Sequence, residues 1–189
     1  MTSRDPEYPL GRRISVTGKG GKTTLSKALA KRFDLEFIEQ DAIRHQANWV
    51  ELSNEEHREV LGRLMDDADG AFVVDGNYSA VRDMLLPRVE TLIVLALPWR
   101  VMFWRTLKRT VLRRIRGEEL WNGNTETFRS AFLTYSIDSV VWDLWIRRKR
   151  YRRFAADAEE QRPDHVRLII IRSGKELNEF YEEHGLVRD

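Results

Sequence analysis

Three stretches of this chain carry residue types that handle phosphate. The first is Gly18-Lys19-Gly20-Gly21-Lys22-Thr23-Thr24. Clustered glycines let backbone N–H groups converge on an anion, and a helix starting there adds partial positive charge. Lys22 would bring a full charge to the β- and γ-phosphates of ATP, and Thr23 would set its hydroxyl on Mg²⁺. The second stretch is Asp75-Gly76-Asn77-Tyr78, directly after the apolar run Phe72-Val73-Val74. A carboxylate there can hold a magnesium-bound water beside the phosphates, and Gly76 allows close approach of backbone or ligand. The third is Asp41, after Ile38-Glu39-Gln40. Asp41 could orient an acceptor hydroxyl, bind magnesium, or only cap a helix or sit in a solvated loop. Trp49, downstream of it, could stack on a ligand or pack on the core. Asp41, Trp49, Asn77 and Tyr78 together would line an acceptor pocket.

The glycine spacing departs from the common pattern G-x-x-x-x-G-K-[ST]. Counting back from Gly21-Lys22-Thr23, the first glycine falls on residue 16, which is Val16. Counting forward from Gly18, the loop is two residues short. Two residues span about 7 Å, comparable with a phosphate group. Either the first strand gives up Val16 and Thr17 to the loop, or the nest of N–H groups is incomplete.

Positive charge is clustered although the net charge is only +2. Residues 100 to 116 hold seven basic residues and no acidic ones: Arg100, Arg105, Lys108, Arg109, Arg113, Arg114 and Arg116. A second cluster is Arg147-Arg148-Lys149-Arg150 with Arg152 and Arg153. The guanidinium fork suits phosphate oxygens. Clusters flanking the glycine- and asparagine-containing stretch from Gly117 therefore suggest a lid insertion at about 117–135 that closes over ATP. In that arrangement Arg113, Arg114 and Arg116 would stabilise transferred charge. The same clusters, interleaved with Trp121, Trp142, Trp145 and Tyr151, also fit nucleic acid as a second choice.

The surrounding sequence must place these groups. Short apolar runs at Ile14–Val16, Leu35–Ile38, Ala71–Val74, Thr91–Leu97 and Val166–Ile171 read as strands. Helical periodicity falls between them: Thr24–Phe33, a helix opened by the Ser53/Glu56 capping pair, Trp99–Arg116, about 125–160 ended by Pro163, and Gly174–Glu183. In the 99–116 helix, Val101, Met102, Trp104, Val111, Leu112 and Ile115 predict an apolar side. Strand–helix alternation predicts one α/β domain over 1–189, a parallel sheet covered on both faces, with ligands beyond the carboxyl ends of the strands. The chain has no cysteine, which excludes disulfides, thiolate metal sites and cysteine nucleophiles. The longest apolar run, Leu92–Leu97, is far too short to cross a bilayer. No apolar leader is visible at the N-terminus, so the expected location is the cytoplasm, with no membrane partner.

Taken together, the residues Gly21-Lys22-Thr23-Thr24-Leu25, Asp41-Ala42 with Trp49, Val73-Val74-Asp75-Gly76-Asn77-Tyr78, Leu97-Pro98-Trp99 and the helix from Trp104-Arg105 to Arg109 carry a resemblance. Over about 13–180 the chain resembles the adenylate-kinase-like P-loop proteins labelled DNA topology modulation proteins. The resemblance implies a P-loop three-layer sandwich: five parallel strands in the order 2-3-1-4-5, helices on both faces and a helical lid. It implies ATP and Mg²⁺ as cofactors and leaves the acceptor open. The expected function is a Mg²⁺-dependent phosphotransferase acting on a nucleotide or small-molecule acceptor. The alternatives are a catalytically weak or inactive nucleotide-binding relative, because the loop is short, and a nucleic-acid binder.

Overall fold

The computed structural model describes residues 7–116, 121–123 and 148–188. Five strands form one parallel sheet: β1 Arg13–Gly18, β2 Glu36–Glu39, β3 Phe72–Asp75, β4 Thr91–Leu95 and β5 Arg167–Ile171. Their spatial order is β2-β3-β1-β4-β5, as the resemblance implies. Among the described residues the α-helices are α1 Lys22–Phe33, α2 Gln40–Arg44, α3 Asn54–Asp67, α4 Arg82–Leu85, α5 Trp99–Arg116, α6 Arg148–Gln161 and α7 Gly174–Glu183.

Side chains of β1, β3 and β4 alternate between two cores, as the two-residue period of a strand requires. Ile14, Val16, Val73, Ile93 and Leu95 pack with Leu25 and Leu29 of α1, Met102 of α5, and Leu177 and Phe180 of α7. Phe72, Val74, Leu92 and Val94 face the other way, onto Leu61 and Met65 of α3, Leu85 of α4 and Phe154 of α6. The central strands therefore read as unbroken apolar runs because both faces are covered. β5 differs from the buried strand that its sequence predicts. It is an edge strand and, apart from Ile171, only partly buried.

The capping pair of α3 forms as its spacing predicts. Glu56 N–H donates to Ser53 Oγ at 3.2 Å, and Ser53 N–H donates to Glu56 Oε2 at 2.8 Å. Ser53→Ala should lower stability by about 1 kcal/mol, read as a shifted midpoint in urea with an unchanged slope. The apolar side predicted for α5 forms only in part. Met102 is buried in the first core, whereas Trp104 and Ile115 are 65% and 75% exposed. The helix spans 18 residues, and among its described side chains the buried ones, Met102 and Thr106, lie in its first half. Most of the proposed lid, 117–135, lies outside the described residues, as do the side chains of Arg113, Arg114 and Arg116 and the second basic cluster up to Arg152. Among the described residues no helix is long and apolar enough to cross a membrane.

Candidate active site

The phosphate loop settles between its two possible geometries by keeping the strand. Val16, Thr17 and Gly18 all remain in β1, with Gly18 opposite Leu95 of β4. The connection is only Lys19-Gly20-Gly21, and α1 begins at Lys22, two residues earlier than its apolar pattern suggests. Gly18, Gly20 and Gly21 have φ of +111°, +88° and +140°. Side-chain-bearing residues rarely enter that region. The strand cannot release Val16 cheaply, because Val16 is fully buried in the first core.

The helix start places Lys22 and Thr23 against two carboxylates, Asp75 at the end of β3 and Asp41 in the first turn of α2. Lys22 Nζ lies 3.2 Å from Asp75 Oδ1 and 3.4 Å from Asp41 Oδ2. Thr23 Oγ1 donates to Asp75 Oδ2 at 2.7 Å. Tyr78 donates its hydroxyl to Asp41 Oδ1 at 2.8 Å, and His45 Nε2 lies 3.4 Å from the same hydroxyl. Lys22, Thr23, Asp41, Asp75 and Tyr78, all predicted from sequence, therefore meet at the carboxyl ends of β1, β2 and β3. This is where an open parallel sheet binds its ligands. Asp41 stands in the first turn of α2, not at its cap.

Burial and charge pull against each other here. Burial opposes the Lys22 charge, but Asp41 and Asp75 outweigh it and hold the lysine above its ordinary pKa. Burial likewise works against ionised Asp41. Lys22 and the Tyr78 hydroxyl prevail, and Asp41 sits below the usual carboxylate value. Asp75 is completely buried, and there burial wins over Lys22 and Thr23, so its pKa is raised. Two carboxylates sharing one lysine thus have opposite tendencies, set by depth. Burial, followed by Asp41, pushes the Tyr78 phenol upward, which keeps it a hydrogen-bond donor. Fully buried His57 packs edge-on against the Tyr78 ring, with centroids 4.9 Å apart.

The donor chemistry fits the expected cofactors. Thr23 and Asp75 offer hard oxygen donors side by side, the type that magnesium takes while retaining waters. The N-terminus of α1 has a glycine at its cap and no acidic residue in its first turn. Its leading N–H groups and Lys22 therefore suit an anion.

Two solved structures share this architecture. A gluconokinase from Sinorhizobium meliloti 1021 superposes with a TM-score of 0.54 at 17% identity, over 93% of this chain and 90% of its own. A candidate kinase from Chloroflexus aurantiacus j-10-fl gives 0.51 at 19% identity, over 93% and 98%. The fold is the three-layer P-loop sandwich that the resemblance implies. Likeness at this identity describes architecture. No family model and no curated protein matches the sequence.

Two more residues predicted for the acceptor pocket are Asn77 and Trp49. Asn77 was expected to face an acceptor, but its amide is engaged with Gly18 and Thr17 of β1. Trp49 does not pack in the core. It is 42% exposed, on a short turn where Asn48 and Trp49 both have positive φ, with its ring edge-on to His45.

Four further residues reach the site. His45 is one helical turn from Asp41, a spacing visible in sequence. Gln40, almost wholly buried, lies against Gly76, where a Cβ would come within 2.7 Å of it. Arg105 Nη1 donates to the Gly20 carbonyl at 2.7 Å. Asn122 donates to the His45 carbonyl at 2.6 Å and to the Ala42 carbonyl at 3.3 Å. Arg105 and Asn122 lie about 80 residues from their partners, and no local pattern announces such contacts.

Proposed function

We propose that this chain is a Mg²⁺-dependent ATP phosphotransferase acting on a hydroxyl of a small-molecule acceptor. The observation that carries it is Lys22, which touches both Asp75, on the magnesium side, and Asp41, on the acceptor side. Lys22 and the leading N–H groups of α1 would grip the β- and γ-phosphates. Thr23 and Asp75 would hold magnesium, which when bound neutralises charge on the phosphate oxygens. Asp41 would accept the proton of the attacking hydroxyl, steered by Tyr78. The kinase-fold likeness supports this reading. So does the resemblance to topology modulation proteins, which carries no acceptor identity with it. Arg113, Arg114 and Arg116 stay in this proposal as lid arginines, within a single domain that carries the lid at about 117–135.

Phosphorus NMR of ATP·Mg²⁺ incubated with a panel of sugars, sugar acids, small alcohols and nucleoside monophosphates tests the assignment. A new phosphate ester with stoichiometric ADP is expected. ATP left unchanged with every acceptor and with water would leave a nucleotide-binding protein without catalysis. The acid limb of kcat/KM supplies a second check. Asp41 works ionised, so the rate falls as pH drops through its pKa. That pKa is held below the ordinary carboxylate value, so the limb lies in strongly acid solution. Tyr78→Phe removes one hydrogen bond to the carboxylate and should move the limb upward. Asp41→Asn should lower kcat by about 100-fold or more, with the KM for ATP little changed.

A further inference from the structure

A nest of N–H groups faces an anion only when the carbonyls between them point elsewhere. In a loop of three residues there is little chain to arrange this. Here donors outside the loop do it. The Gly18 carbonyl accepts from Asn77 Nδ2 at 2.7 Å. The Gly20 carbonyl accepts from Arg105 Nη1 at 2.7 Å. The Gly21 carbonyl accepts from Leu25 N–H at 3.0 Å, and the Lys22 carbonyl from the Ser26 hydroxyl at 2.9 Å. The last two are bonds within the first turns of α1. The first two come from residues 59 and 85 positions away.

Asn77 does more than hold one carbonyl. Its Oδ1 accepts from Gly18 N–H at 2.7 Å and from the Thr17 hydroxyl. Its amide thus satisfies both backbone groups of Gly18, as a neighbouring strand would. It does so on the β3 side of β1, where β3 has already ended at Asp75. Arg105 closes the opposite flank. It projects from α5, whose residue Met102 packs beside Gly20.

We propose that Asn77 and Arg105 are positioning residues that clamp the shortened phosphate loop into its anion-binding shape, in place of the two residues the loop lacks. This rests on the phosphotransferase reading only for its ligand, a triphosphate. The clamp also gives the Asp-Gly-Asn order of residues 75–77 a physical reason. Asp75 addresses Thr23 and Lys22. Gly76 passes under Gln40. Asn77 then reaches the loop from its strand side.

The test uses the full chain and two measurements. Calorimetry with Mg²⁺ and inorganic triphosphate, then with ATP, reads the loop as an anion site. Amide ¹⁵N relaxation of Gly20 and Gly21 in the ligand-free protein reads its order. In Asn77→Ala and in Arg105→Ala, triphosphate affinity should fall at least tenfold. The order parameters of the two glycines should fall from about 0.85 towards 0.6, while those of Ile93 and Val94 in β4 stay put. Arg105→Lys keeps the charge and loses the planar fork, and should recover only part of the affinity. Both alanine variants binding triphosphate within twofold of wild type would overturn the clamp, as would Gly20 and Gly21 remaining rigid in both. A wild-type protein that binds no triphosphate would instead sink the phosphotransferase reading, and the relaxation data would then decide the clamp alone.

Discussion

In the Lys22→Met protein, turnover of ATP should fall by about 100- to 1,000-fold, the loss expected when one preorganised charge contact to a transferring group is removed. The side chain of methionine is nearly as long as that of lysine and fills similar space, so the effect isolates charge. Initial rates with the acceptor found by phosphorus NMR provide the measurement, and a variant that keeps wild-type turnover would end the assignment of Lys22. The substitution has a second consequence that differs in sign from simple loss of a contact. It leaves Asp75 wholly buried without its cation. Breaking a buried ion pair from one side commonly costs about 3–5 kcal/mol, but a carboxylate can escape by taking a proton. The Asp75 pKa is raised even with Lys22 present, because burial dominates, and must rise further without it. The folded state then binds a proton that the unfolded state has released, so its stability grows as pH falls. The deficit of Lys22→Met relative to wild type should therefore be large at pH 8 and shrink towards pH 5. Thermal melts across that range would show it, and a deficit that widens on acidification would contradict it.

Gly18→Ala should be the most destabilising single methyl addition in the phosphate loop. A Cβ at Gly18 would sit 2.2 Å from the carbonyl oxygen of Leu95, a backbone atom of the last residue of β4, and Gly18 has φ of +111°. Strain of this backbone type and an overpacked contact each cost about 1–3 kcal/mol. Together they would lower Tm by roughly 5–20 °C in a domain of this size. Gly70→Ala provides the control. It has φ of +73° but nothing within 4 Å of its Cβ position, so only the backbone term of about 1–3 kcal/mol applies. Equal Tm values for the two variants would show that the Gly18–Leu95 approach is not a constraint.

These two expectations differ in how far they could be foreseen. Lys22 was legible because a lysine after two glycines, between a strand and a helix, has few other uses. Asp75 was legible from an unbroken apolar run that stops at a carboxylate, and Asp41 from its place after the second strand. The strands and their two-sided burial followed from short apolar runs alternating with helical periodicity, a pattern local enough to read along the chain. The Ser53/Glu56 cap was legible for the same reason, since both partners lie within one turn.

The fate of the shortened loop was not legible. The glycine spacing left open whether β1 would give up Val16 and Thr17. The answer depended on the burial of Val16 and on the pairing of Gly18 with Leu95, a partner 77 residues away. Asn77 was read as facing an acceptor because its neighbours do, yet the end of β3 aims its amide at Gly18. Trp49 was open between ligand and core, and a turn with two positive φ values put it outside. By itself the sequence determined which residues could handle phosphate and which elements would carry them, because motif and periodicity are properties of neighbours in the chain. Only the tertiary structure decided that one lysine would serve two carboxylates and that an asparagine and an arginine would hold the loop, because those contacts join segments whose spacing follows no period.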